Sequence, residues 1–230
     1  MRKLKILFAS LVLALGGYVS AQAEIGISVG ATATAGAFFA SGSETETDAT
    51  PDDSGVEDGN DAIVYGMTSV FVDYTIEQAG GIRIGIDYVP ETLSTATQGR
   101  TDTADPNADS DTNNSGTSEV SVDFSDLITA YIEVPIFGSG AYLKAGYKDV
   151  DVKTKEVLHT GSTYGDTSMQ GYMIGFGGKA NLPGDVAFVK FEGSYTDFDD
   201  ISLTSETNTH NKVQAEVEGV ALSVSLGKTF

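Results

Sequence analysis

Apolar residues recur at every second position along most of this chain. From Glu24 to Phe39, Ile25, Ile27, Val29, Ala31, Ala33 and Ala35 fall on one face of an extended backbone, and Gly26, Ser28, Gly30, Thr32 and Thr34 fall on the other. A period of two sustained this long marks a strand with one apolar face and does not fit the 3.6-residue period of a helix. Seven further runs repeat the pattern, at about 64–76, 82–90, 120–134, 141–148, 170–182, 186–196 and 213–230. Their apolar faces carry Val70, Val72, Tyr74 and Ile76; Ile82, Ile84, Ile86 and Tyr88; Phe124, Ile128, Ala130, Ile132 and Val134; Leu143, Ala145 and Tyr147; Tyr172, Ile174, Phe176 and Leu182; Ala187, Val189, Phe191 and Tyr195. In the last run Val220, Leu222, Val224, Leu226 and the terminal Phe230 share one face. The pattern predicts an all-β chain of eight antiparallel strands.

The connections between these runs alternate in length. Residues 77–81, 135–140 and 181–185 are short and dense in turn formers, as in Glu77-Gln78-Ala79-Gly80-Gly81. The segments at about 41–61, 91–118, 149–167 and 197–211 are long. A soluble sandwich has no reason to alternate its loops in this way, whereas a membrane barrel combines short turns on one side with long loops on the other. The expected architecture is an eight-stranded up-and-down transmembrane β-barrel spanning residues 24–230. The stretch 91–118 is long enough to hold one more hairpin and make ten strands. A secreted β-sandwich with the same alternation is the competing fold.

The first 23 residues stand apart. Arg2, Lys3 and Lys5 precede an apolar stretch from Ile6 to Leu15, and Ala21-Gln22-Ala23 offers small residues at both specificity positions of a leader peptidase. Cleavage there would remove three of the 13 basic residues and none of the 33 acids, leaving a formal charge of −23. Such a chain is excluded as a nucleic-acid binder, which needs a basic surface. The chain contains no cysteine, so disulfides contribute nothing.

Taken together, the Ala21-Gln22-Ala23 site, the four hairpins with alternating loops and the final strand ending in Phe230 resemble the small eight-stranded outer-membrane barrels: the OmpA transmembrane domain, OmpX, OmpW and the opacity-type proteins. The resemblance implies a porin-like, monomeric barrel in the outer membrane of a Gram-negative cell, with both termini periplasmic and outer-membrane lipid around it. It also implies that Leu222, Val224, Leu226 and Phe230 form the signal read by the barrel-assembly machinery. Lys228 departs from the aromatic or apolar residue usual three places from the end, and a lysine at the membrane edge can carry its amine to water.

With the apolar face turned outward, the inward positions include Asp73, Arg83, Asp87, Asp123, Glu133, Lys144, Lys148, Lys179, Lys190 and Glu192. Five acids and five bases form a balanced set in a strongly acidic chain. An eight-stranded barrel is just filled by its own side chains, and charges inside it must pair. The expectation is a salt-bridged plug, with a narrow ion path as the alternative.

The four long segments hold 21 of the 33 acids, against Arg100, Lys153 and Lys155. This composition predicts a solvated, repulsive surface fringe. Asp109, Asp111 and Asn113 alternate like the ligands of a calcium loop, with Glu119 further on, but Asn114 stands where such a loop needs Gly and Val120 where it needs Glu. They are weak metal candidates, and no cofactor is expected. His159 and His210 fall in long segments, Ser205 and Glu206 lie near the second, and nothing resembles a nucleophile elbow, a P-loop or a zinc site. No catalytic residue is assigned. A non-enzymatic structural or surface role is expected, with a surface binding module and a rim lipid-modifying enzyme or protease as alternatives.

Overall fold

A computed structural model describes residues 26–46, 55–103, 115–136, 138–158, 163–184, 187–207 and 211–230. The expected leader and the calcium candidates Asp109, Asp111 and Asn113 lie outside the described residues. The strands are β1 (Ile27–Glu46), β2 (Gly55–Ile76), β3 (Ile82–Tyr88), β4 (Leu93–Ser94), β5 (Gln98–Thr103), β6 (Ser115–Pro135), β7 (Ala141–Val157), β8 (Thr167–Asn181), β9 (Phe188–Phe198), β10 (Ile201–Thr204) and β11 (Lys212–Thr229). All pairings are antiparallel, and β1 closes on β11 from Ser28↔Thr229 to Thr45↔Lys212. Closure leaves the body of the sheet without a free edge, the condition under which strands can cross hydrocarbon.

Eight staves form the ring. β3, β4 and β5 follow one another along β6, opposite Ile128–Glu133, then Asp123–Phe124, then Ser115–Val120. They are one interrupted stave, so the extra hairpin allowed for in 91–118 is not formed by the described residues. In the same way β10 continues β9 along β11. The stagger follows from the pairing. From Val29 the partners run through Val72, Ile86, Ala130, Tyr147, Tyr172, Asp197 and Glu218 to Phe39, so one circuit returns ten residues further along β1. A stagger of ten over eight strands corresponds to a strand tilt of roughly 40°.

The short connections lie at one end, as expected. Between β2 and β3 a 3-10 turn, Glu77–Ala79, leads into Gly80 and Gly81, whose φ values of 75° and 82° are left-handed and suit glycine. The opposite end differs from expectation. Segments read as loops at 41–61, 91–118, 149–167 and 197–211 are in good part strand, because β1 runs on to Glu46, β2 starts at Gly55, β7 reaches Val157 and β5 and β10 lie inside them. There the outward face meets water, so polar residues replace the apolar ones and the alternation that reveals a strand fades.

The outward face of the lower barrel carries a continuous apolar belt: Ile84, Ile86, Ile132, Leu143, Ile174, Phe176, Phe191, Leu222, Val224 and Leu226 are all exposed, Leu222 to 73%. Its upper limit is set by Tyr147, Tyr172 and Tyr195 on three neighbouring strands, the first two in edge contact at 5.4 Å. One step beyond stand Asp149, Asp197 and Glu218. A belt of this kind, roughly 20–25 Å tall once tilt is allowed for, is a lipid-facing surface with an aromatic edge. Phe230 does not join it. The ladder ends at Thr229, so alternation no longer constrains the next residue; Phe230 is 9% exposed and donates its N–H to the Ile27 carbonyl at 2.8 Å.

A β-bulge on β6 corrects a second expectation. Ser125 faces Asp151 and Ile128 faces Asp149, so β6 uses one residue more than β7, and Asp126 adopts φ 61°. An extra residue exchanges the two faces beyond it. Phe124, read as lipid-facing, therefore packs inside, and Asp123, read as a lumen charge, is on the outer face. Phe124 joins Phe38, Val122, Leu127, Val150, Val152, Met169, Phe198 and Val217 in an apolar core that fills the barrel above the tyrosines. Deleting Asp126 should leave simple alternation with Leu127 and Phe124 still inside and Asp123 still outside, so the heat-modifiable folded band on a gel should survive. Asp126→Gly suits the left-handed backbone and should keep that band.

Candidate functional site

Below the apolar core the inward positions carry charged, aromatic and hydroxyl-bearing side chains, with glycines between them. Asp73 on β2, Arg83 on β3, Glu133 on β6 and Lys190 on β9 come from four staves and meet near the short-turn end. Lys190 Nζ lies 2.9 Å from Glu133 Oε1 and 3.2 Å from Asp73 Oδ2. Arg83 Nε is 2.9 Å from Glu133 Oε2, an ion contact and not a directed hydrogen bond. All four side chains are at most 7% exposed, so the two acids and two bases neutralise one another away from bulk solvent.

Aromatic rings complete the packing. The Lys190 ammonium is 5.0 Å from the centre of the Phe71 ring, 5.7 Å from Phe188, 5.8 Å from Tyr142 and 6.0 Å from Tyr131, and Tyr131 Oη donates to Asp73 Oδ2 at 3.3 Å. Rings facing a cation supply the electron-rich surface that a desolvated ammonium lacks. Glycines make room for them: a Cβ on Gly85 would sit 2.5 Å from the Tyr131 ring, and one on Gly177 2.5 Å from the Tyr142 ring. Sequence reasoning found the charges and missed the rings. The signal available was the pairing of inward glycines with inward aromatics on neighbouring strands.

A second pair lies one step along. Lys144 Nζ is 3.2 Å from Glu192 Oε1, Tyr142 Oη donates to Glu192 Oε2 at 3.0 Å, and Lys144 sits 4.2 Å from the Tyr131 ring centre. Asp87 accepts a hydrogen bond from Ser69 Oγ at 2.9 Å, and Lys148 is 9% exposed on the same interior. Lys179 lies below, its amine 4.0 Å from the Phe188 ring centre. A cavity of about 60 Å³ reaches from the charged layer toward the apolar core, lined by Glu133, Lys190, Lys144, Asp87, Lys148 and Thr129, among others. It has room for several waters.

Asp123 stands apart from this network, as the bulge requires. Its Oδ2 lies 2.6 Å from Lys155 Nζ, whose side chain is 61% exposed, and Ser94 Oγ donates to Oδ1 at 2.7 Å. The Lys155 ammonium and the Ser94 hydroxyl hold the Asp123 carboxyl below the usual carboxylate range. Among the described residues no group of three or more His, Asp or Glu is placed to hold a metal ion. His159 and His210 lie outside the described residues. Ser205 is buried, and its hydroxyl accepts the Thr163 N–H and shares a hydrogen bond with Thr207.

Replacing Lys190 with methionine would leave Glu133 and Asp73 to share Arg83 alone. The expected loss is about 3–5 kcal/mol of unfolding free energy, the usual cost of stranding a buried charge. Adding Glu133→Gln should recover part of it, as read by urea-unfolding midpoints of the refolded barrel.

No family model matches the chain, and no curated protein does. Among solved structures it is similar to the outer membrane protease OmpT from Escherichia coli, at 10% identity and a TM-score of 0.48 over 93% of this chain and 99% of that one. It is similar to the outer membrane protein OprG from Pseudomonas aeruginosa, at 10% identity and 0.42 over 86% and 95%. A third likeness is to Ail, the attachment invasion locus protein of Yersinia pestis, at 13% identity and 0.31 over 84% and 98%. By its own strand register, the chain is an eight-stranded antiparallel β-barrel closed between β1 and β11.

Proposed function

We propose that this chain is a non-enzymatic outer-membrane barrel, porin-like in architecture, which serves the envelope as a closed structural element with an acidic outer surface. The observation that carries the reading is the filled interior: Glu133, Asp73, Tyr142 and Arg83 are each at most 6% exposed within the belted region. Above them the core around Met169, Phe198 and Val217 fills the same axis. Two seals of unlike chemistry stand in series, and an ion would have to separate charge pairs at one and shed its hydration at the other.

The basic, apolar and small-residue pattern of residues 1–23 supports export, and the lipid-facing belt supports residence in an outer membrane. Both described ends lie at the short-turn end, joined by Ser28↔Thr229. In an outer-membrane barrel the short turns face the periplasm, which would put both termini there. The surrounding lipid and the assembly machinery are then the expected partners, and a monomer suffices because β1 and β11 close the ring within one chain.

Residues 24–230, refolded in detergent and inserted into a planar bilayer, should give a heat-modifiable barrel with no steady current steps. Lys190→Met should stay silent as well, because the apolar seal is intact. Reproducible steps from the unaltered barrel would overturn the closed reading and make the protein a narrow porin.

A further inference from the structure

The wall has a notch. Below Val70, β2 is paired on both sides, ending with Val70↔Tyr88. Above it, Gly55–Ser69 pairs with β1 along one edge and, among the described residues, with no strand along the other. The chain beyond β3 turns away to follow β6: Val89 N–H donates to the Leu127 carbonyl and Thr95 N–H to the Val122 carbonyl. A gap opens between β2 and the β4–β5 stave, starting near the upper edge of the lipid-facing belt.

The free edge is partly guarded. The Thr68 N–H and hydroxyl both donate to the Glu91 carboxylate, which they hold below the usual carboxylate range. The Ala62 N–H donates to Asp61 Oδ1 at 2.8 Å. Donors on one edge of an antiparallel strand recur at every second residue, so Val64 and Gly66 aim their backbone groups into the same gap. Side chains at these even positions are exposed, while Tyr65 and Met67 point inward.

Behind the gap lies an apolar cavity of about 100 Å³, lined by Phe38, Met67, Phe124, Leu127, Met169 and Phe198. Its rim is Gly66, Glu91 and Thr92, all exposed, so the cavity opens at the notch. Residues paired across a sheet share a face. A strand added along β2 would therefore turn a side chain inward opposite Tyr65 or Met67, into the cavity, and place its alternate side chains outside near Asp58 and Glu91.

We propose that this notch is a strand-docking site for an extended basic segment of another polypeptide, which adds antiparallel to β2 and sets one branched aliphatic side chain through the wall into the cavity. Unpaired strand edges are the usual template for such addition. The flanking acids and the chain's formal charge of −20 select a cationic partner. The cavity volume admits a side chain about the size of valine or leucine and leaves an indole without room. The site needs the folded barrel and not its placement in an outer membrane, so it can fail without the closed-barrel reading failing.

The probe is a fluorescent peptide about ten residues long that alternates lysine with valine and leucine, titrated by anisotropy into the full chain folded in detergent. Saturable binding is expected. It should weaken about tenfold when alternate backbone nitrogens of the peptide are methylated, which keeps charge and apolarity but blocks the ladder. Glutamates in place of the lysines should abolish it. The chain has no cysteine of its own, so Gly66→Cys, where a Cβ meets nothing nearer than 3.9 Å, provides a single handle. A peptide cysteine should cross-link there and not to Ser168→Cys on β8. Equal binding by the methylated peptide, equal cross-linking at both sites or no binding would each overturn the proposal. Binding that appears only once residues 104–114 are deleted would show that the chain fills its own notch, and would overturn it too.

Discussion

Closure of the sheet by the β1–β11 ladder is the constraint on which everything else here depends. Each backbone N–H and C=O in hydrocarbon needs a partner, and eight strands supply them only as a ring. Once the ring closes with a stagger of ten, its radius leaves an interior with room for side chains and little else. The charged residues that alternation turns inward then have no bulk water to turn to. They neutralise one another or must gain or lose a proton, and in this barrel Arg83, Glu133, Lys190 and Asp73 do the former at 2.9–3.2 Å.

The same constraint explains why the interior changes character along the axis. Within the belt the outer face is committed to apolar side chains, so polar groups are left for the interior, where they must be mutually satisfied. Beyond the tyrosines the outer face is in water and the roles reverse: Phe38, Phe124, Met169 and Phe198 form an inside-in core of the ordinary soluble kind. The bulge at Asp126 lies at this change of solvent. By adding one residue, it keeps β6 in phase with a wall whose apolar side has moved from outside to inside.

Relaxed closure above the belt has a physical basis as well. In lipid an unpaired edge is prohibitive; in water it costs little because solvent completes the ladder. The β2 edge can therefore part from its neighbour above Val70, and Glu91 and Asp61 cover two of its donors with carboxylates. That arrangement protects against promiscuous strand addition, and among the described residues no strand pairs with Val64 and Gly66 on that edge.

Much of the lower barrel was legible in the sequence because it depends on local alternation and on turn chemistry. Eight runs of period two, short connections rich in glycine, and the inward charges other than Asp123 all follow from residues close in the chain. The upper barrel was not legible, since strands wetted on their outer face lose the apolar signal, and β1 beyond Ser41 or β7 beyond Asp149 reads as acidic loop. Asp123 was misplaced because a bulge leaves no mark in composition; its one extra residue shows only against the register of β7.

The sequence by itself thus determined that the chain forms strands, which face of most of them meets lipid and which charges are turned inward, since all three rest on a two-residue period. Tertiary structure alone decided which acid meets which base. Lys190 lies 57 residues from Glu133 and 117 from Asp73, and they meet because a ring stagger of ten brings four staves to one level. The aromatic enclosure of Lys190, the reversal at Asp126 and the notch beside β2 are of the same kind. Each depends on which strands are neighbours and at what offset, and those are properties of the closed ring.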